Sequence, residues 1–520
     1  MIQWLKNAVF YEIYPQSFAD SNDDGIGDFQ GIIDHLDYIR ELGCNAIWMN
    51  PCFASPFNDA GYDVADYCMA APRYGTNDDL KRLFDEVHKR DMHILLDLVP
   101  GHTSWDHPWF RESLKPEKNA YSGRYIWTDS VWKGFEGVGS IMGFLRGLSA
   151  RDGSVALNFF ASQPSLNYGF HEITDPAWQQ SVDSPDAMAT REAMKDVMRF
   201  WLNLGCDGFR VDMAGSLVKN DPQQEATIAL WQDFRRFLDT EFPNAALISE
   251  WGQPDRSLAG GFHMDFMLHF GPSHYNDLYH GAHPYFSREG KGNAKAFVDY
   301  YVRCMESAGG RGMICMPSGN HDMERIAHWL DPEEAKLVFA FLMSLPGAPF
   351  VYYGDEIGMR YLPGLTSVEG GYNRTGSRTP MQWNSSANAG FSRAPADTLY
   401  LPIDPDKNRP TVETQTANPN SLYSTVKNLI RIRQQNPVLQ SEAAVEFLFC
   451  EENAYPLAYR RSNETDSVLV VLNPSGKEAS FPYTGTLGET LYRLGSSVTQ
   501  KDGILVIPGA SAVFIWETSR

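Results

Sequence analysis

The sequence predicts an α/β fold: a closed (β/α)8 (TIM) barrel with an inserted domain after the third strand and a C-terminal antiparallel β domain. Three observations lead to this fold class. Short apolar, β-rich runs alternate with helical patterns along most of the chain, the third and fourth runs are far apart, and short alternating runs follow near the C-terminus. Alternating βα units imply a parallel sheet, and eight of them favour a closed barrel over an open sheet.

Eight short apolar runs are predicted as barrel strands. They are Val9 to Tyr14, Ala46 to Met49, His93 to Val99, Gly208 to Val211, Ala246 to Ser249, Met264 to Met267, Met313 to Met316 and Phe350 to Tyr353. The intervening stretches have helical periodicity. Ile32, Ile33, Leu36, Ile39 and Leu42 recur at spacings of three and four residues, which makes one apolar helical face.

The third and fourth strand runs are separated by about 110 residues, far more than one helix and two loops require. This spacing predicts an inserted domain at residues 102–175, a segment rich in Gly, Ser, Trp and Phe with little helical periodicity. The catalytic barrel is then predicted to comprise residues 1–101 and 176–436.

A helical pattern at Ser424–Gln435 ends at Asn436 and Pro437, after which the periodicity changes. The alternating runs that follow are Leu457 to Arg460, Ser467 to Leu472, Ile504 to Pro508 and Ala512 to Trp516. Alternation of apolar and polar residues in short runs is typical of antiparallel strands. We therefore expect a C-terminal β-sandwich at residues 437–520.

Composition and charge limit the classes of molecule that the protein is expected to bind. The chain has 520 residues, of which 44 are Lys or Arg and 65 are Asp or Glu, so its formal net charge is −21. A surface this acidic repels phosphate backbones and anionic lipids, so we expect no nucleic-acid or membrane partner and a neutral substrate. The 13% aromatic content suits a sugar, because aromatic faces pack against sugar rings.

The N-terminus and the cysteines indicate the compartment. The opening residues leave no room for a charged region, an apolar region and a cleavage site, so no secretion signal is expected. Seven scattered cysteines without a CxxC pair fit reduced thiols. No run of about 18 apolar residues predicts a membrane span. A cytoplasmic protein is the resulting expectation.

Polar and charged residues stand where the predicted strands end. They are Asp97 and His102 after the third strand, Arg210 and Asp212 at the fourth, Glu250 after the fifth, and His321 and Asp322 after the seventh. In a barrel these ends converge on one face, where such enzymes place their sites. Asp212, Glu250 and Asp322 are therefore expected to point into one pocket, with two histidines and an arginine.

Six segments carry a resemblance to a known family. They are Tyr11-Glu12-Ile13-Tyr14-Pro15-Gln16-Ser17-Phe18, Asp97-Leu98-Val99-Pro100-Gly101-His102, Gly208-Phe209-Arg210-Val211-Asp212, Ser249-Glu250-Trp251, Gly319-Asn320-His321-Asp322 and Arg378-Thr379-Pro380-Met381-Gln382-Trp383. In order, they resemble the signature segments of the α-amylase family of glycoside hydrolases, and the motifs are most similar to its α-glucosidase and oligo-1,6-glucosidase members. The resemblance implies the same three-part architecture.

By this resemblance Asp212 is the nucleophile, Glu250 the general acid/base and Asp322 the carboxylate that stabilises the transition state. A retaining glycosidase needs one ionised carboxylate to form the glycosyl-enzyme and one protonated acid to release the leaving oxygen. Arg210 lies two residues before Asp212 on the same face of the strand, so we expect it to keep Asp212 ionised.

The resemblance also implies a set of substrate-binding residues. His102 and His321 would hydrogen-bond hydroxyls of the cleaved sugar, Tyr62 would stack under its ring, and Arg210 belongs to the same set.

Asp59 and Arg374 are expected to close one end of the pocket. Asp59 lies three residues before Tyr62 and Arg374 four before Arg378, where they resemble the Asp and Arg with which α-glucosidases of this family hold the terminal sugar. A facing Asp and Arg would give charge-assisted hydrogen bonds to a non-reducing-end glucose.

An acidic loop near the start of the chain is a candidate metal site. Oxygen donors at alternate residues, with Gly at the turns, suit the oxygen-only ligands of calcium. By the resemblance the ligands would be Asp20, Asn22, Asp24, the Ile26 carbonyl and Asp28. One structural calcium ion (Ca2+) is expected, with magnesium (Mg2+) as the alternative.

The leading functional prediction is a retaining, exo-acting α-glucosidase that releases glucose from short α-glucans such as maltooligosaccharides. Alternatives on the same scaffold are an endo-acting α-amylase, an α-1,6-oligoglucosidase and a transglycosylase; a non-catalytic sugar-binding or transporter-associated protein is more remote. Gly101 stands where the family usually has an Asn that helps bind calcium, and Met213 where a small or β-branched residue is usual. The linkage preference is left open.

Overall fold

The computed structural model describes residues 2–134, 139, 141–371 and 373–518. All eight predicted runs form one closed barrel of parallel strands, in which consecutive strands pair and the first pairs with the eighth. The strands are Phe10–Ile13, Ala46–Met49, His93–Leu98, Gly208–Val211, Ala246–Ser249, Met264–Phe266, Met313–Pro317 and Pro349–Tyr352. The predicted fold class is confirmed.

The barrel strands are buried on both faces because helices cover the sheet outside and side chains fill it inside. The rings of Phe10 and Phe350, on the first and eighth strands, stack with centroids 4.2 Å apart. Trp48 and Phe266 pack against the same group. Because the interior is filled, the residues that act on a ligand must lie at its mouth.

Helices follow the strands. The α-helices are Phe29–Asp34, Leu36–Leu42, Asn77–His88, Pro108–Ser113, Pro185–Leu204, Glu225–Glu241, Pro254–Ala259, Asn276–Tyr279, Lys295–Ala308, Pro332–Ser344, Val412–Thr416 and Leu422–Gln435. The apolar helical face predicted from Ile32 to Leu42 belongs to two helices instead of one, and these helices meet at His35. The Nδ1 atom of His35 lies 2.8 Å from the Gly31 carbonyl oxygen. In the part of the chain that the structure describes, no helix has the length and apolar character needed to cross a membrane.

The long connection between the third and fourth barrel strands contains the helix Pro108–Ser113 and an antiparallel hairpin of Gly143–Arg146 with Ser154–Leu157. The connection returns to the barrel mouth, where His102 pairs with Ser165 in an isolated bridge. A second two-stranded sheet, Phe53–Ala54 with Asp66–Ala70, follows the second strand. The predicted limits of the inserted domain stay a prediction.

The C-terminal region forms a five-stranded and a three-stranded antiparallel sheet. The strands are Ala444–Phe449, Leu457–Ser462, Ser467–Asn473, Leu487–Leu494 and Ser511–Glu517 in the larger sheet, and Ala479–Pro482, Thr499–Lys501 and Ile504–Ile507 in the smaller. Along one central strand, Val470 and Leu472 pack into the main core, whereas Leu469 and Val471 pack with the second sheet. This period of two lets one sheet contact both layers.

Candidate active site

Three carboxylates reach one cavity at the carboxyl ends of the barrel strands. Asp212 directly follows the fourth strand, Glu250 directly follows the fifth, and Asp322 lies in the loop after the seventh. All three line a cavity of about 690 Å³, a volume typical of small-molecule sites. The structure thus brings the predicted catalytic residues together.

Arg210 lies beneath the cavity and contacts the acids at its base. Its Nη1 lies 2.9 Å from Asp97 Oδ1 and 3.3 Å from Asp212 Oδ1, and its Nη2 lies 2.8 Å from Glu250 Oε1. One fully buried guanidinium therefore contacts three carboxylates and keeps Asp212 and Glu250 close together. Arg210 is 1% exposed and, among the described residues, is not part of the cavity wall, so its contacts are with the acids and not with an open binding surface.

Asp212 and Glu250 are coupled. Burial raises the pKa of Asp212 well above its ordinary value, the nearby Glu250 carboxyl raises it further, and Arg210 lowers it. This direction is opposite to the one expected from Arg210 alone, because burial and the neighbouring Glu250 carboxyl outweigh the guanidinium, which also contacts Asp97. The two carboxyls are close enough to hydrogen-bond to each other, which favours the protonated form of Asp212.

Asp322 has the opposite environment. Its Oδ1 lies 2.9 Å from Arg374 Nη1 and 2.8 Å from Arg378 Nη2, and its Oδ2 lies 3.4 Å from His321 Nε2. Burial opposes ionisation of Asp322, but the guanidinium groups of Arg378 and Arg374 outweigh it and lower the pKa well below its ordinary value. Asp322 is therefore an anion at every physiological pH.

The predicted pair at the end of the pocket is present. Arg374 Nη2 lies 3.2 Å from Asp59 Oδ1, and Gln163 Nε2 donates to Asp59 Oδ2 at 2.8 Å. Arg374 therefore bridges Asp59 and Asp322. Burial raises the pKa of Asp59 to about 6, against the lowering effect of Arg374.

Tyr62 and His321 form a stacked pair, with ring centroids 5.3 Å apart. The Tyr62 hydroxyl donates to Asp97 Oδ2 at 2.9 Å, and its ring lines the cavity. His321 is 0% exposed and its Nδ1 lies 3.1 Å from both Glu12 and Asn50. Burial lowers the pKa of His321 to about 3, so its imidazole is neutral and lies behind Tyr62.

His102 lines the cavity but already has protein partners. Its Nε2 donates to the Tyr62 carbonyl at 2.8 Å, and its Nδ1 accepts from Asn158 Nδ2 at 3.0 Å. A hydrogen bond to a sugar hydroxyl would have to share one of these nitrogens. Asn158 also accepts from buried Lys219 at 3.0 Å. A Cβ at Gly101 would lie 2.7 Å from Asn158 Nδ2, so this network explains the glycine before His102.

Sequence reasoning missed most of the cavity wall. The additional lining residues include Phe159, Phe160, Gln163, Met213, Gln224, Trp251, Gln253, His269 and Phe270. Phe159 and Phe270 are 42% and 40% exposed, so the opening is aromatic whereas the closed end is charged. Trp251 directly follows Glu250 and Met213 directly follows Asp212, so both had a sequence signal; the aromatic residues Phe159, Phe160 and Phe270 depend on loop conformation.

The acidic loop near the N-terminus is tightly folded. Asp20 accepts the backbone N–H groups of Asn22, Asp23 and Gly25, and Asp28 accepts those of Ser21 and Gly31. The oxygen donors are of the type that calcium prefers. Across residues 2–134, 139, 141–371 and 373–518, however, no group of three or more His, Cys, Asp or Glu side chains is placed to hold a metal. The calcium site stays a prediction.

Comparison with known proteins decides the family. The profile described as "Alpha amylase, catalytic domain" matches residues 12–442. The chain belongs to the α-amylase family. It is therefore a glycosidase-type enzyme that acts on α-glucosidic bonds.

Relatives within the family differ in what their names describe. The chain is 32% identical to the trehalose synthase/amylase TreS of Mycobacterium tuberculosis, over 91% of this chain and 82% of the relative. It is 30% identical to the oligo-1,6-glucosidase of Parageobacillus thermoglucosidasius, over 92% of both. Among solved structures, the trehalulose synthase MutB from Pseudomonas mesoacidophila MX-45 superimposes with a TM-score of 0.83 at 27% identity, over 99% of both chains.

Proposed function

We propose that this enzyme is an exo-acting α-glucosidase that removes single glucose units, with retention, from the non-reducing ends of short α-glucans. The observation that carries the proposal is the bridge of Arg374 between Asp322 and Asp59. It blocks one end of the cavity with charged groups. A sugar bound there would place its terminal hydroxyls against the pair, and no further sugar could extend beyond it.

The carboxylates have the roles that retention requires. Asp212 attacks the anomeric carbon, while Glu250 gives its proton to the departing oxygen; water then hydrolyses the glycosyl-enzyme with Glu250 as the base. Arg210 contacts both acids, which favours the short separation of retaining enzymes over the wider gap that an inverting enzyme needs for water. Asp322 stays ionised and stabilises positive charge on the sugar in the transition state.

Transglycosylation is the second candidate, and the aromatic opening favours it. Phe159 and Phe270 are exposed at the cavity wall, and Trp251 lines the cavity next to Glu250; we place the path of the leaving sugar and of water past these rings. An apolar wall can hold a released sugar ring and disfavour water. Two similar proteins, TreS and MutB, are named as synthases of trehalose and trehalulose.

Product analysis tests both candidates. Maltose, isomaltose, sucrose, maltotriose and soluble starch would be digested, and early products followed by chromatography and proton NMR. We expect α-glucose as the first product, maltose as the partner product from maltotriose, and slow attack on starch. New disaccharides that exceed free glucose would instead select transglycosylation. Mixed oligosaccharides from starch would show an endo-acting amylase, and initial β-glucose would contradict retention.

A further inference from the structure

A buried carboxylate on the sixth barrel strand lies beside the acid/base. Asp265 is the middle residue of the strand Met264–Phe266 and pairs in register with Ser249, the residue before Glu250. Asp265 is 0% exposed and, among the described residues, is not part of the cavity wall. It can affect the reaction only through its neighbours.

The contacts of Asp265 surround Glu250 along the chain. Its Oδ1 accepts the Ser249 hydroxyl at 2.7 Å, the Trp251 N–H at 3.1 Å and the Gly252 N–H at 3.4 Å. On the other side, the Glu250 N–H donates to the Val211 carbonyl at 2.8 Å. The backbone that carries Glu250 is thus held by the fourth strand and by Asp265.

These bonds are needed because the chain turns sharply after the fifth strand. Gly252 has a φ of +71°, a conformation that a glycine adopts readily. The turn leaves the N–H groups of Trp251 and Gly252 in the protein interior, where only a buried acceptor can satisfy them. Asp265 supplies one atom that accepts from both, and the same turn directs the Trp251 side chain into the cavity wall.

Asp265 is a costly choice for stability alone. Within the described residues no cation pairs with Asp265. The Ser257 hydroxyl also contacts the carboxyl, but Oδ2 has no hydrogen bond of standard geometry. Burial raises the pKa of Asp265 to about 7, against the hydrogen bonds from Ser249 and Trp251. Burying an acid without a countercharge lowers the stability of the fold. Its presence here indicates that its position serves another purpose.

We propose that Asp265 is a positioning residue that fixes the backbone of Ser249, Trp251 and Gly252, and thereby aims the Glu250 carboxyl at the departing oxygen. The proposal rests on the proposed acid/base role of Glu250. If Asp265 acts through Glu250, its loss harms substrates whose leaving group must be protonated and spares those whose leaving group needs no proton. A merely structural role would slow both kinds of substrate equally.

The experiment compares maltose with α-glucosyl fluoride in the full-length protein. The value of kcat/KM reports the step that forms the glycosyl-enzyme. In that step a fluoride ion can depart without being protonated by a general acid, whereas the sugar released from maltose cannot. For Asp265→Ala we expect kcat/KM to fall about 100-fold with maltose and less than about threefold with the fluoride, a partial loss of general-acid catalysis. Asp265→Asn keeps an acceptor oxygen and should restore most of the maltose activity.

Controls separate the possible failures. Glu356→Gln alters another buried acid, which accepts from Tyr11 and Tyr38 outside the cavity wall, and should leave the ratio of the two kcat/KM values unchanged. Glu250→Gln should show the largest rise in the fluoride-to-maltose ratio. If it shows none, the proposed role of Glu250 is wrong; if it does and Asp265→Ala does not, only the positioning proposal is overturned.

One further variant keeps the test decisive where Asp265→Ala fails to fold. Ser249→Ala removes the shortest of the three hydrogen bonds to Asp265 Oδ1. It should raise the ratio of kcat/KM for the fluoride to kcat/KM for maltose about threefold, because part of the general-acid catalysis would be lost with this bond. An unchanged ratio in a folded Ser249→Ala enzyme would refute the proposal.

Discussion

Replacing Asp59 with asparagine is expected to make the folded protein more stable at pH 7 and the enzyme slower. The side chain is 4% exposed, and burial raises its pKa from the ordinary value of 3.8 to about 6. The folded state therefore binds the proton more tightly than the unfolded state. Stability from this group is fully present below about pH 3.8 and is lost as the pH rises through about 6.

The size of the effect follows from these two pKa values. Their difference corresponds to about 3 kcal/mol of unfolding free energy at pH 7. Asparagine removes the charge, but its NH2 group must then face another donor, from either Gln163 or Arg374. This unfavourable contact cancels part of the gain in unfolding free energy. We expect a net stabilisation of about 1 to 3 kcal/mol at pH 7.

Urea unfolding at several pH values measures this difference. The gap between Asp59→Asn and the wild type should grow as the pH rises from about 4 to about 6 and then level off, following the titration of Asp59. Asp502→Asn changes an exposed acid of the C-terminal domain and should give no such gap. In parallel, kcat/KM for maltose should fall about 10- to 100-fold, because the sugar loses a charged hydrogen-bond acceptor. A less stable variant at pH 7, or a gap independent of pH, would refute the reasoning.

Two other predictions concern the carboxylates and the acidic loop. Asp212→Asn and Glu250→Gln should each lower kcat by at least about 1000-fold while the protein stays folded, because each removes a charge or proton used in the chemistry; a loss below about tenfold contradicts the assignment. Calcium at about 100 times its Kd should stabilise the protein by about 2.7 kcal/mol, and Asp24→Ala should abolish that gain whereas Glu464→Ala should not. Unfolding curves that change neither with added calcium nor with a chelator would contradict the predicted metal site.

The strand positions were predictable because each barrel strand is a short run buried on both faces. The C-terminal strand Leu487–Leu494 was not found, since only Tyr492 is buried and the sequence lacks a clear alternation of apolar and polar residues. The helix break at His35 was also missed. Local hydrogen bonding ends the first helix there without interrupting the apolar spacing.

The meeting of Asp212, Glu250 and Asp322 in one cavity was predictable because each follows a strand, and the parallel barrel brings strand ends together. The aromatic opening was not, because Phe159 and Phe270 reach the cavity from loops whose conformation the periodicity does not determine. Asp265 left one signal in the sequence. It is an acid inside a run of apolar residues, Met264 to Met267, and such a residue in a buried strand needs hydrogen-bond donors nearby.

The two sides of the cavity floor differ in charge, and this difference determines where a proton can be held. Asp322 faces two guanidinium groups, from Arg374 and Arg378, so it remains an anion. Asp212 and Glu250 share a single guanidinium with a third acid, so ionising both would leave negative charge uncompensated in a buried site. In the proposed mechanism, the proton that departs with the leaving oxygen would therefore come from the Asp212–Glu250 pair. Because the proposed nucleophile Asp212 must be ionised to attack, the proposed mechanism requires the proton on Glu250 when the bond breaks.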